Sequence, residues 1–414
     1  MADMKKVKIS DICNIEKGTT GLATAIPGIY PLVATGAERK TCSTYQFDSK
    51  AVCIPLVSST GHGSKTLNYV HYQEGKFALG SILATIIPKD ENTISAKYLH
   101  AYLQKNKDTV LVPLMKGAAN VSLSIHDVAN IEIPCPPLVV QAKILEKIDI
   151  FSGKYLIFLK ENDIQLNLLN NLLNTILQEA IRGTFTSKWR KQHPELICGD
   201  NHASQLFVKI QKEKGQLIKE GKINKEKRLS PIIEKEKPFD LPQGWIWCRL
   251  GNISEWRYGK SLVKTQYKSN GKYPVFGSNG IVGYFDKYLT SKPSIVIGRK
   301  GSAGALNKSE MPSWTTDVAF YIEESKFINF VYLFILLKSL KIDSIGKGIK
   351  PGINRNEAYN LLVPLAPANE QKAIVEKVTK IMFLIDQLEK QIAERKELSE
   401  MLVQAVLREA FEAN

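Results

Sequence analysis

The sequence predicts an α+β protein: two similar mixed α/β globules separated by two long helices that pair as an antiparallel coiled coil, with internal pseudo-two-fold symmetry. Three observations carry this. A long helical stretch occurs twice, from Pro134 through Phe185 and from Pro364 to Asn414, and the copies align without a gap at a constant offset (134 to 364, 180 to 410). Pro134 matches Pro364, Pro137 matches Pro367, Gln141 matches Gln371, and Glu179-Ala180 matches Glu409-Ala410. In front of each copy lies a second, looser repeat of strand-like runs and glycine loops. Repetition on this scale sets the architecture before any local reading.

Residues 1–132 read as the first globule. The β-branched runs Ala51 to Val57 and Ile82 to Ile87 are strand-like. Ser95 to Leu103 is helix-like behind a capping serine. Gly117 to Asp127 reads as a small-residue loop running into a strand, and Ile131 to Pro134 leads into the long helix.

Residues 133–185 form the first long helix. Leu145, Ile148, Ser152, Tyr155, Leu159, Asn162, Leu166, Leu169, Leu173, Ile176 and Ala180 step by three and four, a heptad seam suited to a coiled coil. The counterpart, residues 361–414, has a looser seam through Val375, Val378, Met382, Ile385, Leu388, Ile392, Leu402 and Val406. One helix cannot bury so narrow a stripe alone, so the copies are expected to bury it against each other. Two unrelated surface helices are the competing reading. A helix of roughly 40 residues spans about 60 Å.

Residues 186–243 read as a connector, with a short amphipathic helix over Ala203 to Lys219 and a solvated, lysine-rich run from Glu220 to Lys237. Leu241 to Trp247 is an anchored turn that re-enters folded structure. Residues 244–360 then repeat the plan of the first globule. Gly18 parallels Gly259, Tyr30-Pro31 parallels Tyr273-Pro274, Ala51–Val57 parallels Ser294–Ile297, and Val121–Ile125 falls at the place of Pro351–Arg355.

The chain holds 414 residues, 44% hydrophobic and 23% charged, enough apolar content for real cores. Its longest apolar run, Phe327 to Leu337, is too short to cross a bilayer, and Met1 to Asp11 has no apolar signal core. The six cysteines show no CxxC spacing and read as free thiols in a reducing compartment. A soluble cytoplasmic protein with no membrane partner is expected. The net charge of +15 is uneven: residues 244–360 carry 17 Lys+Arg against 8 Asp+Glu, whereas 361–414 carry 7 against 9. A basic surplus on the globules fits a polyanion partner, although many basic proteins bind no nucleic acid.

Catalytic constellations fail on inspection. Gly61 to Thr66 resembles a phosphate loop, but Ser64 separates Gly63 from Lys65 and breaks the required Gly-Lys-Ser/Thr order. Asp317, Glu324 and Lys326 resemble a nuclease constellation, yet acid-x-Lys pairs arise by chance in a lysine-rich chain, and a solvated strand end is the better reading. The histidines lack ligand spacing, so no metal site and no catalytic residue is expected. Binding remains. In the first globule Arg39, Lys40, Ser59, Thr60, His62, Ser64 and Lys65 cluster on loops; in the second, Arg257, Tyr258, Lys260, Ser278, Asn279, Arg299, Lys300, Ser302, Lys347, Lys350 and Arg355 do. Lysine and arginine hold phosphates, and arginine, asparagine, serine and histidine read base edges. Each residue taken singly is as well explained as a solvated loop position.

These residues resemble a known family. Leu241 to Gly251 (LPQGWIWCRLG), Tyr273 to Tyr284 (YPVFGSNGIVGY), Ile295 to Gly304 (IVIGRKGSAG), Pro134-Cys-Pro-Pro137 with Gln141, Pro364-Leu-Ala-Pro367 with Gln371, and Phe185 to Arg190 are similar to the specificity (S) subunit of type I restriction–modification enzymes. The resemblance covers essentially the whole chain. The first globule departs most, with divergent glycine loops and no Leu-Pro-x-Gly-Trp lead-in. The resemblance implies two target recognition domains, each reading one half of a bipartite, asymmetric site in double-stranded DNA, and a coiled-coil spacer. It implies docking of two methyltransferase (M) subunits, which carry S-adenosylmethionine, and of restriction (R) subunits, which use ATP and Mg. The S subunit itself would be non-catalytic and hold no cofactor. A coiled-coil scaffold whose globules bind protein partners is the alternative.

Overall fold

The computed structural model of the chain describes residues 6–60, 63–118, 120–225, 228–345 and 352–412. Two compact units divide it: Met1–Asp163 with Ala393–Asn414, and Ile164–Ile392.

In the first unit a four-stranded antiparallel sheet runs Cys13–Lys17, Leu83–Pro88, Ala51–Pro55, His71–Gln73. A second sheet runs Lys40–Cys42, Tyr30–Val33, Lys76–Leu79, Phe47–Asp48, with its middle pair parallel. Ala51–Pro55 is buried along its whole length, as expected of a continuous apolar run in a sheet covered on both faces. The helix Ala96–Val110 packs on this core through Tyr98, Leu99 and Leu103. The expected strand after Gly117 is not formed. Ser122 makes only isolated bridges to Lys116 and Val57, and Ile125–Ala129 is a short helix. Ser124 decides this locally: its side chain accepts from the Asp127 amide at 2.9 Å and so caps a helix start.

The second unit repeats the plan, except that its second sheet has no counterpart of the short strand Phe47–Asp48 among the described residues. Arg257–Tyr258, Ala319–Glu323, Ser294–Gly298 and Leu306–Ser309 form its four-stranded sheet. Gly280–Phe285, Tyr273–Gly277 and Trp314–Thr315 form the other, again with one parallel pair. Register fixes the correspondence. The Val57–Ser122 bridge recurs as Lys300–Gly352, and Gly352 stands to Ser122 at the same offset as the two helix copies. Gly18 and Gly259 are equivalent and glycine for the same reason: a Cβ would lie 2.3 Å from the Gly80 carbonyl oxygen in one and 2.1 Å from that of Thr316 in the other.

Each long helix is fastened to the unit in which it starts by the same buried clamp. Leu138–Arg182 starts with Gln141, whose amide donates to the carbonyls of Pro136 (2.8 Å) and Thr93 (3.0 Å) and accepts from the Ser95 amide (2.9 Å). Ala368–Glu412 starts with Gln371, which donates to Ala366 (2.9 Å) and accepts from Asn329 (3.0 Å). The Tyr98 hydroxyl donates to the Pro134 carbonyl and that of Tyr332 to Pro364, both at 3.1 Å. The first helix closes on a Schellman pair, Thr184 to Glu179 and Gly183 to Ala180, both at 3.2 Å.

The two long helices pair antiparallel. In the first unit, Tyr155 meets Glu400 at 3.2 Å, and Ile144 shares a core with Ala410 and Phe411. In the second, Ile176, Leu177, Ala180 and Ile181 share a core with Ile374, Val378 and Ile385. The seam read from the sequence holds at Asn162, Leu169, Ile176, Ala180, Val378, Ile385 and Ile392, all buried. It does not hold at Leu166, Leu388 and Leu402, which are exposed. A straight α-helix drifts about 20° per heptad against a fixed seven-residue repeat, so a regular spacing of leucines does not stay on one face.

The connector also differs from a free linker. Its helix is Ala203–Lys219. Beyond it, the stretch expected to be solvated is strapped down by Arg249, which donates to the carbonyls of Ser230 (3.0 Å) and Pro231 (2.8 Å) and to Glu236 (2.6 Å). Glu370, fully buried in the first turn of the second long helix, gathers Arg190, Thr186 and the Trp245 indole (2.7 Å).

Gln371→Leu is expected to leave the half-buried Asn329 amide and the buried Ala366 carbonyl without partners, a cost of about 1–3 kcal/mol. A thermal melt should fall by roughly 2–4 °C per kcal/mol in the second unit, and an unchanged melt would remove the clamp from the account of stability.

Candidate nucleic-acid interface

In the second unit the loops at one end of the four-stranded sheet converge. Arg257 and Tyr258 sit on an edge strand, opposite Tyr321 and Phe320. Arg257 pairs with Glu323 at 2.9 Å. The Arg299 guanidinium lies 5.5 Å from the centre of the Tyr258 ring and that of Arg355 lies 5.1 Å from it. Neither arginine is loose. Arg299 donates to the Asp317 carbonyl through Nε (3.2 Å) and Nη2 (2.7 Å), and Arg355 donates to the Trp256 carbonyl (2.9 Å). Tyr258 itself is 51% exposed. A half-exposed ring with cations against its faces is a stable way to hold positive charge at a surface.

Glycine brings two more loops in. A Cβ on Gly298 would lie 2.1 Å from the Ser302 carbonyl oxygen and 2.4 Å from that of Ser278, so both loops lie against bare backbone. Ser278 and Asn279 form the hairpin turn between Tyr273–Gly277 and Gly280–Phe285. Lys300 bridges to Gly352, and the Lys260 amide donates to Thr315 at 2.9 Å, leaving both ammonium groups on exposed residues. Lys347 and Lys350 lie outside the described residues. Asp317, weighed as a nuclease acid, serves through its backbone carbonyl, a role that no side-chain pattern announces. Among the described residues, no group of three or more His, Cys, Asp or Glu side chains could hold a metal ion.

The first unit places its candidates differently. Ser59, Thr60, Ser64 and Lys65 lie on one hydroxyl-rich loop, whose polar groups are largely turned on each other. Ser58 donates to the Ser64 carbonyl (2.5 Å), Thr60 meets Thr66 (2.6 Å), and Ser59 accepts from the Asn68 amide (3.0 Å). His62 lies outside the described residues. Lys40 is exposed on the strand Lys40–Cys42. Arg39 is tied to another strand, donating to Gln73 (3.0 Å), the Tyr72 carbonyl (3.1 Å) and His71 Nδ1 (3.1 Å). Accepting that bond requires a neutral His71. Burial first, then the Arg39 charge, push its imidazole down from 6.5 to about 4, with His100 adding to the second effect.

The positions that carry the second unit's cluster hold other chemistry here. By strand register, Glu16 stands for Arg257 and Lys17 for Tyr258, since Glu16 faces Thr85 as Arg257 faces Tyr321. Leu56 stands for Arg299, because Leu123 bonds Leu56 (2.9 Å) as Ile353 bonds Arg299 (3.0 Å).

His71 sets a pH dependence. Between pH 6.5 and about 4 the unfolded chain binds a proton that the folded one refuses, so this contribution destabilises the fold as pH falls through that window and is absent above it. His71→Gln should lessen the loss of melting temperature between pH 7 and pH 5 relative to wild type; equal losses would assign the effect to other groups.

The chain matches the family described as "Type I restriction modification DNA specificity domain" over residues 1–168 and 242–397. It is 35% identical to the type I restriction enzyme EcoAI specificity subunit of Escherichia coli over 239 residues, 51% of this chain and 39% of that protein. It is 28% identical to the EcoEI specificity subunit of Escherichia coli over 273 residues, 58% of this chain and 43% of that protein. These matches thus span about two-fifths of the relatives' length. Its fold is that of a chain solved in work on complex assembly and conformational transition of the type I restriction–modification system, with a TM-score of 0.66 at 16% identity over 98% of this chain and 97% of that one. It is also that of the HsdS subunit from Thermoanaerobacter tengcongensis, with a TM-score of 0.52 at 15% identity over 98% and 96% of the two chains. With each globule and the first part of the long helix that follows it inside the matched residues, this chain belongs to the type I restriction–modification DNA specificity family.

Proposed function

We propose that the chain is a non-catalytic DNA sequence-specificity subunit that reads a bipartite, asymmetric site, one unit to each half-site. The observation that carries this is the surface gathering of Arg257, Tyr258, Arg299 and Arg355 on a stretch with 17 Lys+Arg against 8 Asp+Glu. Fixed arginines beside a half-exposed ring suit base edges, and exposed lysines around them suit phosphates. The different residues at equivalent positions of the first unit give the two half-sites different sequences. Residues 1–132 and 244–360 are the two target recognition domains, 186–243 the connector, and 133–185 with 361–414 set the gap between half-sites.

The partners are two methyltransferase subunits, with restriction subunits joining them. S-adenosylmethionine belongs to the former and ATP with Mg to the latter. Support for two copies of one partner comes from the repeat. Leu168 and Leu398 are 61% and 63% exposed, Leu172 and Leu402 are 46% and 57% exposed, and both pairs are equivalent positions of the two helix copies. Matching apolar patches on matching helix positions offer two like docking sites, and patches of exposed leucine mark interaction surfaces.

Co-expression with a methyltransferase subunit, followed by mapping of methylated adenines, should give a two-part motif with a fixed gap. Duplex affinity should fall steeply with salt, because phosphate contacts release counterions. Salt-insensitive protein binding without duplex affinity would favour a protein-binding scaffold instead. Deleting four residues from each long helix, within Glu161–Leu169 and its repeat counterpart, should shorten the gap and leave both half-sites as they were. Altered half-sites with an unchanged gap would refute the helices as spacer.

A further inference from the structure

We propose that Arg299 reads a guanine in the half-site served by the second unit, with Tyr258 as its positioning residue. This rests on the DNA-specificity reading above and names the base and the residue that recognises it.

The donor inventory comes first. A guanidinium has five N–H donors in a fixed fork. Two of the Arg299 donors, one on Nε and one on Nη2, are spent on the Asp317 carbonyl. Of the remaining three, one on Nη1 and one on Nη2 point side by side from the end of the fork. Two parallel N–H groups so placed match guanine O6 and N7, the commonest specific contact in the major groove. The plane is held as well as the edge. Tyr258 packs at 5.5 Å from the guanidinium carbon and the buried Phe320 at 6.0 Å. An arginine fixed on one edge by backbone and packed on one side by two adjoining rings loses little freedom when it meets a base.

A phosphate contact would use the same donors, and the repeat discriminates between the two. Every half-site presents the same sugar–phosphate backbone, so a phosphate anchor serves equally in both units. A base reader is where the units are free to differ. The position of Arg299 in the first unit is Leu56, 8% exposed and without any donor on its side chain, and that of Tyr258 is Lys17. The arginine–tyrosine pair therefore belongs to one half-site alone.

The test uses the full chain co-expressed with its methyltransferase partner, reading the methylated motif in cells. The wild-type motif should contain guanine in one half-site. Arg299→Ala should relax discrimination at that one base pair by about tenfold or more, leaving the other half-site and the gap intact. Arg299→Lys should restore it at most in part, because an ammonium on a flexible stem lacks the rigid fork that holds the Asp317 carbonyl and a base edge at once. Tyr258→Leu should relax the same base pair in part, and Tyr258→Phe should behave as wild type. A motif unchanged by Arg299→Ala, or a uniform loss at all positions that Arg299→Lys restores, overturns the proposal. Should the alanine variant melt early, Arg299→Gln carries the test: a wild-type motif from it counts against guanine reading, and relaxation or a shift toward adenine at the single base pair supports it. A wild-type chain that directs no motif at all would instead defeat the DNA-specificity reading, which is a separate result.

Discussion

The structure depends on a buried amide. Gln141 and Gln371, each with almost no exposed surface, close hydrogen bonds between the first turn of a long helix and the globule beside it. Buried amides with unmade bonds cost far more than made bonds gain, so the helix has little freedom to swing about its start. The Tyr98 and Tyr332 hydroxyls add a second tie to the strand that leads into each helix. The first turn of each helix is thereby held fast to the unit in which it starts. That is the mechanical requirement of any device in which helix length is to carry meaning.

The second unit has an additional fastening that the first does not share by sequence. Glu370 gathers Arg190, Thr186 and Trp245, and thus ties the connector to the start of the second long helix. Its repeat equivalent is Val140, which makes no such bonds by nature of its side chain. A buried carboxylate with one cation and two neutral donors is satisfied, and removal of Arg190 would leave its charge uncompensated. The connector is thereby structural at both of its ends, since Arg249 straps the other. The internal symmetry is a symmetry of backbone and clamp, not of every contact.

Symmetric scaffold and asymmetric surface follow from where residues sit. Strand register, the glycines at 18 and 259, and the clamps are kept because backbone geometry demands them. At the sheet end no such demand applies, and Glu16, Lys17 and Leu56 stand where Arg257, Tyr258 and Arg299 stand in the other unit. The exposed leucines on the long helices fall between these cases: they are surface positions, yet they recur at equivalent places in both copies.

The gapless repeat, the strand runs Ala51–Pro55 and Leu83–Pro88, the helix Ala203–Lys219 and the family itself were legible in the sequence alone. Each rests on local pattern, which periodicity and spacing report directly. The short helix Ile125–Ala129, the strapped stretch from Ser230 to Glu236 and the exposure of Leu166, Leu388 and Leu402 were not. They are decided by one capping serine, one distant arginine and the drift of a straight helix against a heptad. In the candidate site, the sequence singled out Arg257, Tyr258, Arg299 and Arg355 as residue types on glycine-rich loops. Only the tertiary structure put the two guanidinium groups against one ring, and only it enlisted the Asp317 carbonyl, because contacts between residues far apart in the chain leave no periodic trace in it.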